Sequence, residues 1–192
     1  MDFSNKLATI GVGQTWAQVA RFMEETDPEY CVAVARTPSI GVGGTLLSGG
    51  FSWLSTECGC ISDPINFVDA EVVKYDGSVI MASQEPELLW ALRGAGGGFG
   101  IMTKVILRAH YYPTDIWSGL VFVDRKWLPD LTRDIEAFVA SAPHPRINFF
   151  LYHMPKRLLD LVHEAPEPDA GDIIALHVYD AFGEAHGREA FK

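Results

Sequence analysis

The residues of this chain that could do chemistry are mostly glycines. Gly41, Gly43, Gly44, Gly49 and Gly50 crowd the segment 37–59, and Gly94, Gly96, Gly97, Gly98 and Gly100 crowd a second loop. Together they are more than half of the 18 glycines, so close backbone approach is concentrated at two places. No side chain between Arg36 and Glu57 is charged. Glycine at this density lets backbone turn tightly and come near a neighbour, because no Cβ intervenes. Two readings follow: backbone laid against a phosphate or a flat cofactor, or a pair of tight turns in a β-rich domain. The stretch is as uncharged as a membrane span, but its glycines and Pro38 argue against one.

Other chemistries are poorly served. Neither cluster gives G-x-G-x-x-G, and no phosphate-binding G-x-x-x-x-G-K-[ST] or G-x-S-x-G nucleophile elbow is present. His163-Glu164 lacks a second histidine at zinc-helix spacing, and Pro166 breaks that turn. His110, His144, His153, His177 and His186 are scattered, which favours surface or hydrogen-bonded structural roles. His153 and His177 fall on expected strands and are the pair best placed to face a ligand. Cys31, Cys58 and Cys60 show no C-x-x-C spacing and make no disulfide framework. Cys58-Gly-Cys60 has no second ligand pair at finger spacing, so the expectation is no metal and buried or partly buried thiols.

The elements that must hold the glycine loops are short. The segment 9–13 reads as a strand and turn, and Thr15 caps a helix with apolar face Trp16, Val19, Ala20 and Met23, stopped at Asp27-Pro28. A buried strand over 31–35 leads into the first loop. Strand 68–74, an Asp76-Gly77 turn and strand 78–82 form a hairpin. Pro86 opens a short helix over 87–93, with Leu88, Leu89, Ala91 and Leu92 apolar. Strand 101–109 leaves the second loop. Tyr111-Tyr112-Pro113 marks a boundary, followed by strand 116–123, helix 129–140, strands 147–153 and 172–180, and a turn into a last helix over 182–192. The 129–140 helix buries Leu131, Ile135, Phe138 and Val139. Pro143, Pro145, Pro155, Pro166 and Pro168 punctuate the loops.

With 192 residues, 48% hydrophobic and 21% charged, the chain has the composition of a soluble globular protein. Its net charge of −10 and pI near 4.9 argue against nucleic acid and anionic membrane as partners. A negative cofactor must therefore be held by local groups. The first twenty residues show no basic stretch followed by an apolar run, so no signal peptide is visible.

Three blocks carry a resemblance. They are Pro38-Ser-Ile-Gly-Val-Gly-Gly-Thr45 running on through Ser48-Gly-Gly-Phe-Ser-Trp53 to Gly59-Cys-Ile-Ser-Asp63; Val68 to Gly77; and Leu89 to Thr103. In that order they resemble the FAD-linked oxidases of the vanillyl-alcohol-oxidase and p-cresol-methylhydroxylase superfamily, in particular the berberine-bridge-enzyme-like branch. The resemblance implies an α+β fold. Residues 1–113 would be the second half of a PCMH-type FAD-binding domain, and 114–192 the start of an antiparallel-sheet substrate domain backed by helices. It implies FAD as cofactor and a small-molecule substrate, an alcohol of secondary metabolism or a sugar-like one, giving a hydride to flavin.

Carried across residue by residue, Ser39, Gly41, Gly43, Gly44 and Thr45 would bring N–H groups and a hydroxyl to the pyrophosphate and ring. Gly49, Gly50 and Ser52 would let the next helix pass close, and Ile101 would touch the adenosine end through its backbone. Trp90 and Arg93 read as packing and helix-end residues. Relatives with a doubly attached flavin have Cys directly before the Pro-x-Ile-Gly-Val-Gly-Gly stretch. Thr37 stands there, so non-covalent FAD is expected. The family's first FAD subdomain and C-terminal segment have no counterpart. The expectation is a truncated or fragmentary form whose catalytic base is unknown, with a complementing chain among its expected partners. The alternative is a non-catalytic remnant or interaction module.

Overall fold

The computed structural model describes residues 1–112, 115–154 and 172–192. The chain divides into two compact units, Met1–Pro113 and Thr114–Lys192. Pro113 of the expected boundary, Pro155, His163-Glu164, Pro166 and Pro168 lie outside the described residues.

The first unit is built on β5 (Ile101–Tyr111), the longest of its strands. β1 (Leu7–Gly11) and β3 (Phe67–Val73) pair along it, β2 (Tyr30–Val32) pairs with its far end, and β4 (Val79–Met81) pairs with β3. Every pairing is antiparallel. Alternation puts Val105, Leu107 and Ala109 on the buried face. The β3–β4 hairpin turns through Gly77, with the Lys74 N–H donating to Ser78 O at 2.8 Å.

Helix α1 (Trp16–Thr26) covers the sheet. Its capping box is reciprocal: the Thr15 hydroxyl accepts from the Gln18 N–H, and the Gln18 side chain accepts from the Thr15 N–H. Trp16, Val19 and Met23 are buried, whereas Ala20 is exposed, one position past the stripe. Of the expected 31–35 strand only Cys31 and Val32 pair. Residues 33–35 leave the ladder, although Ala33 and Ala35 stay buried. Helices α2 (Val42–Leu47), α3 (Ser55–Cys58) and α4 (Pro86–Leu92) are short.

In the second unit β8 (Ile173–Asp180) is the middle strand between β6 (Trp117–Asp124) and β7 (Ile147–Met154), again antiparallel. Its position explains why nearly all of β8 is buried. Helices α5 (Leu128–Ala140) and α6 (Glu184–Ala190) accompany the sheet. The expected buried stripe of α5 is only partly realised: Leu131, Ile135 and Phe138 are half-buried and Val139 is 61% exposed. Phe138 packs edge-on to Phe149 and stacks on Phe191. The architecture is α+β with antiparallel sheets, as the sequence implies.

Candidate cofactor cleft

The first glycine segment is a loop closed on itself and strapped to the start of α1. The Arg36 N–H donates to Phe51 O at 3.2 Å, joining its two ends. The Trp16 and Ala17 N–H groups, otherwise orphaned at a helix start, donate to Ile40 O and Pro38 O. The Thr45 hydroxyl accepts from Trp16 Nε1 at 3.0 Å and donates to Gly41 O at 2.7 Å, so buried Trp16 fixes the first turn of α2. Gly50, at φ +75°, packs against that turn; a Cβ there would lie 2.6 Å from Thr45 Cγ2. Only glycine fits without a shift.

These contacts leave an open cleft of about 550 Å³. Its walls include Arg36, Thr37, Ile40, Gly41, Gly44, Thr45, Gly50 and Phe51. The expected residues Gly41, Gly44, Thr45 and Gly50 are thus brought together. Ser39 is exposed and outside the lining. Gly43 turns away, its N–H donating to Val12 O at 3.3 Å. Ser52 is buried, with its hydroxyl accepting from the Leu54 N–H and its own N–H donating to Ser55 Oγ. Gly49 O accepts from the Ser62 N–H, so Gly49 belongs to the packing behind the cleft. Ile101 is 71% exposed at the start of β5, paired with Val73 and also outside the lining.

The second glycine loop docks on the first through the Gly96 N–H, which donates to Leu47 O at 2.8 Å. Arg93 is the helix-end residue expected, donating to the carbonyls of Phe67 and Val68. Trp90 is not a packing residue: it is 75% exposed. Its place on α4 puts it opposite the buried pair Ala91 and Leu92.

Arg36 is the residue that motif reasoning passed over. Among the described residues it is the only charged side chain lining the cleft. Burial pulls its guanidinium pKa below the ordinary arginine value, and the group stays protonated at neutral pH. The available signal was its position as the last charge before the neutral stretch. Thr37 also lines the cleft and offers a hydroxyl, whereas Cys31 sits on β2 outside the lining.

The cleft suits part of a flavin on its own geometry. A Cβ on Gly44 would meet nothing within 4 Å, so bare backbone faces open space. Apolar groups dominate the wall, and one cation stands at its edge. A flat apolar ring with a polar or anionic margin matches that combination. Among the described residues no group of three or more His, Cys, Asp or Glu is placed to hold a metal ion. In the second unit His153 Nε2 lies 3.1 Å from Asp172 Oδ2, and His177 Nε2 lies 3.1 Å from the Ser118 hydroxyl.

No family model matches the chain. It is 34% identical over 133 residues to an uncharacterized FAD-linked oxidoreductase of Arthroderma benhamiae, covering 68% of this chain and 26% of that relative. It is 35% identical over 148 residues to an FAD-dependent monooxygenase of Fusarium proliferatum, covering 75% of this chain and 27% of the relative. The fold superposes on berberine bridge enzyme from Eschscholzia californica with TM-score 0.79 at 18% identity, over 100% of this chain and 36% of that one. The chain spans about a quarter of the length of the curated relatives it matches. Its curated relatives are FAD-linked oxidoreductases and FAD-dependent monooxygenases, and its fold is that of berberine bridge enzyme.

Proposed function

We propose that this chain is the part of an FAD-dependent oxidoreductase that holds one side of the flavin in the cleft between Ala35 and Phe51. The observation that carries the reading is the cleft itself, walled by glycine backbone and apolar side chains and edged by Arg36. Bound flavin would supply hydride acceptance from a small alcohol of secondary metabolism or a sugar-like one. The chain's own residues do the holding. Gly41, Gly44 and Gly50 let backbone approach the ring, Ile40 and Phe51 offer apolar contact, and Arg36 faces its anionic margin. The order of domains follows: 1–113 is the FAD-binding portion and 114–192 the start of a substrate domain.

Ser39, Gly43, Gly49, Ser52 and Ile101 act less directly, by shaping or flanking the cleft. Attachment is non-covalent, because a threonine hydroxyl at position 37 has no thiol chemistry to offer. The visible spectrum of the purified chain before and after acid precipitation tests both points. Flavin absorbance that moves to the supernatant supports the reading. Absorbance kept in the pellet overturns the non-covalent assignment. A colourless soluble protein that also fails to take up added FAD overturns the flavin role and favours an interaction module. The exposed Phe51, Trp90 and Ile101 give that second reading its surface.

A further inference from the structure

Away from the cleft, Cys58, His110 and Asn66 come together from α3, β5 and the turn before β3. Cys58 Sγ lies 3.8 Å from His110 Nδ1, and His110 Nε2 lies 2.7 Å from Asn66 Oδ1. The buried Asn66 amide nitrogen donates to Cys58 O and Cys60 O, both at 2.8 Å. Those two carbonyls can only accept, so the NH2 group must face them and Oδ1 must face the imidazole. An amide oxygen also only accepts, which puts the His110 proton on Nε2. Nδ1 is left with a lone pair directed at the Cys58 thiol.

A thiol facing a base whose tautomer is set by a third, immobilised group has the geometry of an activated nucleophile. Burial pulls the His110 pKa down, partly opposed by Glu57 and reinforced by Arg108. His110 therefore rests as the neutral imidazole, able to take a proton during attack. Cys58 is 8% exposed, which admits small reagents only.

We infer that Cys58 is a modification site for hydrogen peroxide, activated by His110 as general base and by Asn66 as positioning residue. His110 Nδ1 takes the thiol proton as sulfur attacks one peroxide oxygen. The O–O bond breaks, and the departing hydroxide takes that proton and leaves as water. Sulfur is oxidised to sulfenic acid while the peroxide is reduced to water. The site stands apart from the flavin reading, because the oxidant is added peroxide.

The test is a time course of peroxide treatment, followed by trapping with dimedone, alkylation of remaining thiols and peptide mass mapping at all three cysteines. Exposure alone favours the half-buried Cys60 over Cys58. General-base assistance reverses that order, with Cys58 lost at least about tenfold faster than Cys60. His110→Gln should slow Cys58 about tenfold and leave Cys60 unchanged. Cys58 reacting no faster than Cys60 in the unsubstituted chain overturns the inference, whether or not the variant folds. An unchanged Cys58 rate in folded His110→Gln overturns it equally.

Discussion

The two units differ in how their apolar surface is closed. In Met1–Pro113 the sheet and the helices α1, α2 and α4 enclose a continuous core that includes Trp16, Leu46, Phe67 and Leu107, each fully buried. In Thr114–Lys192 the middle strand β8 is buried, yet α5 buries no residue completely and its Val139 faces solvent. The first unit can therefore keep several glycines in left-handed conformations at its loops, because the surrounding core over-determines them. The second has helices laid on a sheet with less to hold them. A cofactor cleft demands the first kind of scaffold, since backbone that must approach a ring closely has to be held still.

Substitutions can break this comparison, and the largest effect belongs to the closed unit. Gly100 sits at φ +143°, and a Cβ there would lie 2.5 Å from Val72 Cγ1 and 2.9 Å from Val73 O. Gly100→Ala should cost the first unit about 2–4 kcal/mol, read as a lower urea midpoint. Arg36→Ala removes the one cation of the cleft and should weaken FAD retention about 10–100-fold with little change in melting temperature.

Trp16→Phe keeps most of the buried ring but deletes the 3.0 Å bond to the Thr45 hydroxyl. The expected loss is about 1 kcal/mol. In the second unit Val139→Ser should stay within about 0.5 kcal/mol of neutral, because the side chain is already in water. A large loss there would mean that α5 is covered after all.

A smaller effect sharpens the picture through pH. The folded His110 pKa is depressed, first by burial. Between the folded and unfolded pKa values the unfolded chain binds the extra proton. The contribution is therefore fully present above about 6.5 and is lost as pH falls from there through the folded value. Urea midpoints measured from pH 7 down to pH 5 should decline, and His110→Gln should flatten that decline.

Much of this was legible in the residues. Thr15 announces the start of α1 because N-capping is local chemistry. The glycine clusters announce loops because nothing else tolerates such density. The alternation of β5 gives its buried face directly. What was not legible depends on partners far along the chain. The motif makes Gly43 a cleft donor, yet Val12 O takes its N–H, and Trp90 reads as packing, yet α4 turns Ala91 and Leu92 to the core instead. Arg36 is read as a cleft residue only once its backbone is tied to Phe51. The Cys58–His110 contact joins residues 52 positions apart, one on α3 and one on β5, and no local motif encodes it.

The most direct test fills the cleft without touching the core. A Cβ at Gly44 meets nothing within 4 Å, and its backbone is not left-handed. Gly44→Leu should therefore fold as the unsubstituted chain does while projecting into the space assigned to the flavin. Titration of FAD followed by fluorescence quenching, alongside thermal melts of both proteins, is the measurement. Saturable binding to the unsubstituted chain and its loss in Gly44→Leu at equal stability is the predicted result. Equal binding by both proteins, or none by either, would contradict the cleft as the flavin site.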